Sequence, residues 1–202
     1  MDVGEGTSSQ LFQSVGGDID KFDEILLNIK IIWISHHHAD HTSGFPMLLE
    51  NIQRAKIRSD YKINKSIEYK NEVRNKHSVT NNACLAKSGY EKDKVLVIAT
   101  DSVLSYFQYS ACISGLDYLI TLFNISKTLY AGNTKDVMEA TDNTVKRLQS
   151  IAVYHCNHSY GLVLDAVDFK IVFSGDCRPS QSLVKSGNSL LLSLLLLLYY
   201  CH

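Results

Sequence analysis

The 202-residue sequence predicts an α/β fold in which sheets are covered by helices. Two observations carry this. Short apolar, β-branched runs alternate with segments whose apolar residues recur at helical spacing. The apolar runs also come in clusters, which leaves mixed or antiparallel pairing as open as a purely parallel sheet. Hydrophobic residues make up 45% of the chain, an ordinary share for a packed core, and there is no internal repeat.

Met1–Gly4 reads as the tail of a strand. Ser8–Ser14 and Ile19–Asn28 have helical spacing, through Leu11 and Val15 and then Phe22, Ile25 and Leu26. Ile29–Ser35 is a short buried strand. Phe45–Ala55 is a helix, with Pro46 tolerated in its first turn. Lys94–Thr100 is a second buried strand, and Ser102–Tyr109 and Leu116–Phe123 read as helical. Ser150–His155, Gly161–Val167 and Phe169–Ser174 are three strands, followed by a short helix over Pro179–Ser186.

Between Arg54 and Lys76 the character changes. Eight basic residues (Arg54, Lys56, Arg58, Lys62, Lys65, Lys70, Arg74, Lys76) stand against Asp60, Glu68 and Glu72, with Tyr61 and Tyr69 interleaved. A solvated connector is one reading. The other is a phosphate-binding edge, carried by Lys56, Arg58, Lys62 and Lys65.

Whole-chain charge does not decide between them. Lys plus Arg is 20 and Asp plus Glu is 21, a net charge of −1, so a nucleic-acid partner would need a local patch. The five cysteines (Cys84, Cys112, Cys156, Cys177, Cys201) form no CxxC pair. That pattern argues against a disulfide framework or a cysteine zinc knuckle and for a reducing, intracellular setting. Ser189–Tyr200 reads SLLLSLLLLLYY; it falls short of the roughly 20 residues of a spanning helix, so no membrane partner is expected.

The strongest chemical signal is Ser35-His36-His37-His38-Ala39-Asp40-His41, an HxHxDH pattern directly after a buried strand. Zinc takes imidazole nitrogen and carboxylate oxygen in a compact shell. His36 and His38, two apart on an extended turn, can chelate one ion, and Asp40 and His41 can reach a second. A chance histidine run has no reason to add Asp and His at those offsets. His37 falls in the variable position and is read as solvent-facing or packed. Further ligands are sought at later strand ends. His155 lies in Val153–Gly161, and Asp176 ends Phe173-Ser174-Gly175-Asp176, where a carboxylate can bridge two cations. Asp2, before Gly4-Glu5-Gly6-Thr7, is read either as a turn residue or as a carboxylate that orients the histidine loop.

These motifs together resemble the tRNase Z branch of the metallo-β-lactamase superfamily, its long form in particular. Asp2 with Gly4-Glu5-Gly6-Thr7 is similar to the family's strand-end Asp and GEGT; His36-x-His38-Ala39-Asp40-His41 with Ser43-Gly44 is similar to its metal signature. His155-Cys156-Asn157-His158-Ser159-Tyr160-Gly161 resembles HCxHxxG, and Ser174-Gly175-Asp176-Cys177-Arg178-Pro179 resembles SGDTRP. The resemblance implies an αββα sandwich, here incomplete, over residues 1–188, with 189–202 an atypical apolar tail. It implies one zinc on His36, His38 and His155, a second on Asp40 and His41, and Asp176 between them.

Asp40 would take the catalytic proton, and the reaction would be removal of the 3′ trailer of precursor tRNA. The implied partners are precursor tRNA and a second copy in a homodimer, and the implied compartments are nucleus and mitochondrion. The family's later His motifs have no counterpart before His202. The expectation is therefore a catalytic half cut short at both ends, its second zinc one ligand short. Two other readings are kept: a hydrolase of the same fold with another substrate, and an inactive remnant that binds zinc or RNA.

Overall fold

The computed structural model describes residues 1–74, 94–129 and 134–187. Helix α1 spans Thr7–Ser14 and α2 Ile19–Leu27, the latter capped by Asp18, whose carboxylate accepts from the Asp20 and Lys21 amides. Strand β1 is Ile31–Trp33, followed by the one-turn α3 (Ala39–Thr42) and the long α4 (Phe45–Arg74). Then come β2 (Val95–Ala99), α5 (Asp101–Ile113), β3 (Ile120–Asn124) and α6 (Thr134–Ala140). The chain continues through β4 (Val145–Ala152), β5 (Tyr160–Ala166) and β6 (Lys170–Phe173) to α7 (Gln181–Gly187).

The strands form two sheets of opposite kind. β1, β2 and β3 pair in parallel, with Ile32 beside Val97 and Val97 beside Leu122. β4, β5 and β6 pair antiparallel. Alternation along the parallel sheet divides the core into two. Ile32, Ile34, Val95, Val97 and Ala99 face the helices, packing with Phe22, Leu26, Phe45, Leu49 and Phe107. Trp33, Leu96, Ile98 and Phe123 face the other sheet and meet Leu148 and Leu162. Helix α7 covers the far face of the second sheet, where a Cβ on Gly161 would sit 2.7 Å from Leu183. The layers thus run helix, sheet, sheet, helix, a partial α/β sandwich.

A buried polar chain locks the sheets together. The Trp33 indole N–H donates to Ser150 Oγ (2.9 Å), and the Ser150 and Thr128 hydroxyls lie 2.7 Å apart. Thr128 in turn donates to the Ile125 carbonyl, so each member is satisfied. At the tips, the Tyr160 amide donates to the Ser35 carbonyl. The first residues of β5 are therefore fixed against the end of β1.

Several expectations need correction. Leu116–Phe123 is not a helix: a 3₁₀ turn over Asp117–Leu119 leads into β3. Its apolar residues fit both periods, and Ile120, Thr121 and Phe123 favour the pleated sheet once β2 offers a partner. The helix expected to end at Ala55 runs on to Arg74, so the basic stretch is helical rather than a connector as far as that residue. Between Arg54 and Arg74 the helix holds no Pro or Gly and carries seven Lys and Arg residues, which favour helix. Met1–Gly4 is not a strand, although the Asp2 and Val3 amides bond to the Trp33 and His41 carbonyls. Helix α6 was not anticipated. The tail Ser189–Tyr200 and the boundary after residue 188 lie outside the described residues. Among those described, no helix is long and apolar enough to cross a membrane.

Candidate metal centre

Four imidazoles converge where the two sheets meet at their tips. His36 follows β1 and is almost fully buried; its ring centre lies 4.5 Å from His38, 4.1 Å from His41 and 4.8 Å from His155. His36 Nε2 is 2.9 Å from His38 Nδ1, and His155 Nε2 is 3.3 Å from the same atom. Two nitrogens on one tetrahedral zinc would be about 3.3 Å apart, from Zn–N bonds of about 2.0–2.1 Å. The imidazole nitrogens therefore stand close to the spacing that a shared ion demands.

The loop that presents them is built by close backbone packing. His38 precedes α3, whose Thr42 hydroxyl donates to the His38 carbonyl at 3.0 Å. The Val3 amide donates to the His41 carbonyl and the Gly44 amide to the Val3 carbonyl. A side chain on Gly4 would overlap the Asp40 carbonyl, and one on Gly44 would overlap the Gly4 carbonyl. Both glycines are there because two backbones touch.

Asp2 organises this loop. One of its carboxylate oxygens accepts the Ser35 amide at 2.7 Å. The other accepts the Ser35 hydroxyl and His41 Nδ1, each at 2.8 Å. That leaves His41 Nε2 facing Asp176 Oδ2 at 3.3 Å and Asp40 Oδ2 at 3.5 Å. Burial lowers the His41 pKa, but the Asp2 hydrogen bond and the charges of Asp2, Asp176 and Asp40 outweigh it, and the net shift is upward. His36 is pushed down to about 4, first by burial and then by the neighbouring His41, His38 and His155. Its ring is neutral near pH 7 and offers a lone pair.

Two donor groups result. His36, His38, His155 and Cys156 have ligand atoms all within 4.8 Å of one another, as do His36, His41 and Asp176. His36 Nδ1 faces the Ser35 hydroxyl at 2.9 Å, so its Nε2 is the nitrogen free to serve an ion beside His38. Asp176 thus groups with His41, and the group around His38 and His155 closes on Cys156. Asp40 lies at the mouth, its side chain 75% exposed. His37 is exposed, with Nδ1 4.0 Å from Cys156 Sγ. Cys156 was missed in the sequence because the search there was for CxxC pairs; the available signal was its adjacency to His155.

The basic residues are not part of this cluster. Lys56, Arg58, Lys62 and Lys65 sit about 17 to 30 Å along α4 from its start, by the rise of a helix. Arg58 makes a bidentate pair with the buried Asp23 (2.7 and 2.5 Å), and Lys62 bonds Asp20. Lys56 also has a partner, and Lys65 is exposed.

No protein-family model matches the chain. It is 25% identical over 198 residues to the human zinc phosphodiesterase ELAC protein 2, covering 93% of this chain and 20% of that protein. It is 27% identical over 216 residues to the mitochondrial tRNase Z TRZ3 of Arabidopsis thaliana, covering 93% of this chain and 23% of that one. Among solved structures it matches a long-form RNase Z from yeast with a TM-score of 0.53 at 14% identity, over 78% of this chain and 22% of that chain. The chain is tRNase Z-like. This tRNase Z-like chain spans about a fifth of the length of the human relative.

Proposed function

We propose that this tRNase Z-like chain is the zinc-holding part of an endoribonuclease that removes the 3′ trailer of precursor tRNA. One observation carries the reading: His36, His38 and His155, from two different sheets, meet with His41 and Asp176 in one cluster. The donor chemistry fits zinc, being imidazole-rich with carboxylate at one side. In the proposed assignment His36, His38 and His155 hold one ion, Asp40 and His41 the other, and Asp176 lies between them. When bound, the zinc pair supplies Lewis-acid activation of water for phosphodiester hydrolysis near neutral pH.

The chain's own residues do the rest. Asp2 fixes the His41 tautomer by taking its Nδ1 proton in a hydrogen bond, which leaves Nε2 as the donor. His36, neutral near pH 7, has no proton to lose on binding. Asp40 stands at the exposed mouth with a carboxylate that can accept a proton from the attacking water. The water oxygen bonds to phosphorus, the bond between phosphorus and the tRNA 3′ oxygen breaks, that oxygen takes a proton from solvent to become the 3′-hydroxyl, and the phosphate stays on the 5′ end of the trailer. The name of the human relative supports zinc-dependent phosphodiester hydrolysis, and that of the Arabidopsis relative supports tRNA as substrate and a mitochondrial address.

The test is elemental analysis of the purified chain beside His38→Ala, followed by a precursor-tRNA cleavage assay of wild type and Asp40→Ala. One to two zinc per chain, falling in His38→Ala, with trailer release lost in Asp40→Ala, is the expected result. Folded chain without zinc would end the proposal.

A further inference from the structure

We infer that Tyr154 is a substrate-positioning residue, its ring a stacking platform for a nucleobase beside the scissile phosphate. This rests on the RNA-cleaving reading above and adds to it a group that grips the strand at the metal mouth. Tyr154 immediately precedes His155, whose Nε2 is 3.3 Å from His38 Nδ1. Adjacent Cα atoms are about 3.8 Å apart, so the tyrosine lies within a nucleotide's length of that ligand. At 80% it is the most exposed large hydrophobic side chain among the described residues. No ring among those residues stacks on it, and none of them hydrogen-bonds its phenol.

The backbone beneath this open ring is held firmly. The Val153 amide donates to the Ser159 carbonyl at 3.0 Å, and the Cys156 amide to the Ser159 hydroxyl at 3.2 Å. His158 closes the turn in a left-handed conformation (φ 61°), unusual for a residue with a Cβ. The Tyr154 carbonyl accepts the Arg178 amide at 2.9 Å, which ties it to the segment carrying Asp176. The same tie brings Arg178, also exposed, to this edge, where a guanidinium can meet a neighbouring phosphate.

A tyrosine ring on a fixed backbone has only two side-chain torsions to freeze, so little entropy opposes its capture of a partner. Unpaired RNA supplies that partner, because its splayed bases stack on aromatic faces. A ring face reads no base edge, so the contact accepts any base and positions the strand without selecting its sequence.

The zinc-loaded full chain and precursor tRNA test this, through affinity by fluorescence anisotropy and kcat/KM for trailer release. The affinity arm serves whether or not the bond is cut. Tyr154→Ala is expected to keep the wild-type zinc content and to lose about 5- to 100-fold, while Tyr154→Phe stays near wild type. Precursors with an abasic nucleotide on one side of the cleavage point or the other separate stacking from packing. One of the two should cost wild type as much as the Tyr154→Ala change does, and cost Tyr154→Ala nothing further. An unchanged Tyr154→Ala, a Tyr154→Phe as poor as Tyr154→Ala, or losses that simply add for both abasic precursors overturn the stacking role and leave the nuclease reading standing. Wild type that holds zinc yet neither binds nor cleaves the precursor overturns both.

Discussion

The Ser35–Gly44 loop and the Tyr154–Ser159 turn supply opposite walls of the same cluster, but they are held by different means. The first is tied from outside: Asp2 accepts three hydrogen bonds from it, and Gly4 and Gly44 press two backbones into contact. The second is tied mainly to itself, through the Cys156–Ser159 bonds and the left-handed His158, with the Tyr160 amide and the Arg178 amide as its links to neighbouring segments. The contrast teaches where rigidity comes from. The first wall depends on side chains and glycines distant in sequence, the second on a six-residue loop that folds locally.

Breaking the outer ties should have the largest effect. Gly44→Ala places a methyl into the Gly4 carbonyl, where neither backbone can yield without losing the Val3–Gly44 bond. A loss on the order of 3 kcal/mol or more in urea unfolding is expected, with zinc binding lost as well. Asp2→Asn should be milder and more specific. The fold is retained, zinc affinity drops roughly 10- to 100-fold in competition with a chromophoric chelator, and the His41 titration moves down in NMR.

The sign follows from the raised His41 pKa. In the metal-free chain the Asp2–His41 pair stabilises fully below the ordinary value of 6.5 and loses that contribution as pH rises through the higher folded value. In Asp2→Asn the low-pH advantage should disappear. The smallest effect belongs to the second wall. His158→Gly should change stability by less than about 0.5 kcal/mol, because relief at positive φ is offset by the freer unfolded chain. His158→Val should cost about 1–2 kcal/mol, because a branched Cβ is poorly tolerated there. Equal costs for the Gly44→Ala and His158→Val changes would abolish the distinction between the walls.

Much of the candidate site could be read from the sequence because its residues lie in contiguous motifs. His36, His38, Asp40 and His41 share one loop, and His155 and Asp176 sit where strands end. Asp2 was readable only as one of two alternatives, since nothing local tells a turn carboxylate from one that reaches Ser35 and His41. Cys156 offered only its adjacency to His155 as a signal: its closeness to His36 and His38 exists only once β4 and β5 bring the second sheet to the first. The same limit explains the elements. Val95–Ala99, apolar at every position, could only be a buried strand. Leu116–Phe123 fitted two periods, and pairing with β2 decided it. Arg54–Lys76 was charged enough to pass for a connector, and charge alone does not separate a solvated helix from a loop.

The single tryptophan of the chain has a consequence of its own. Trp33 stands three residues before His36, 1% exposed, its ring edge-on to Phe173 and its N–H on Ser150 of the opposite sheet. Its fluorescence is therefore an optical gauge of whether the two sheets are docked. Any treatment that parts them wets the indole and shifts its emission to the red, so the assembly of the metal centre's two walls can be followed without a label.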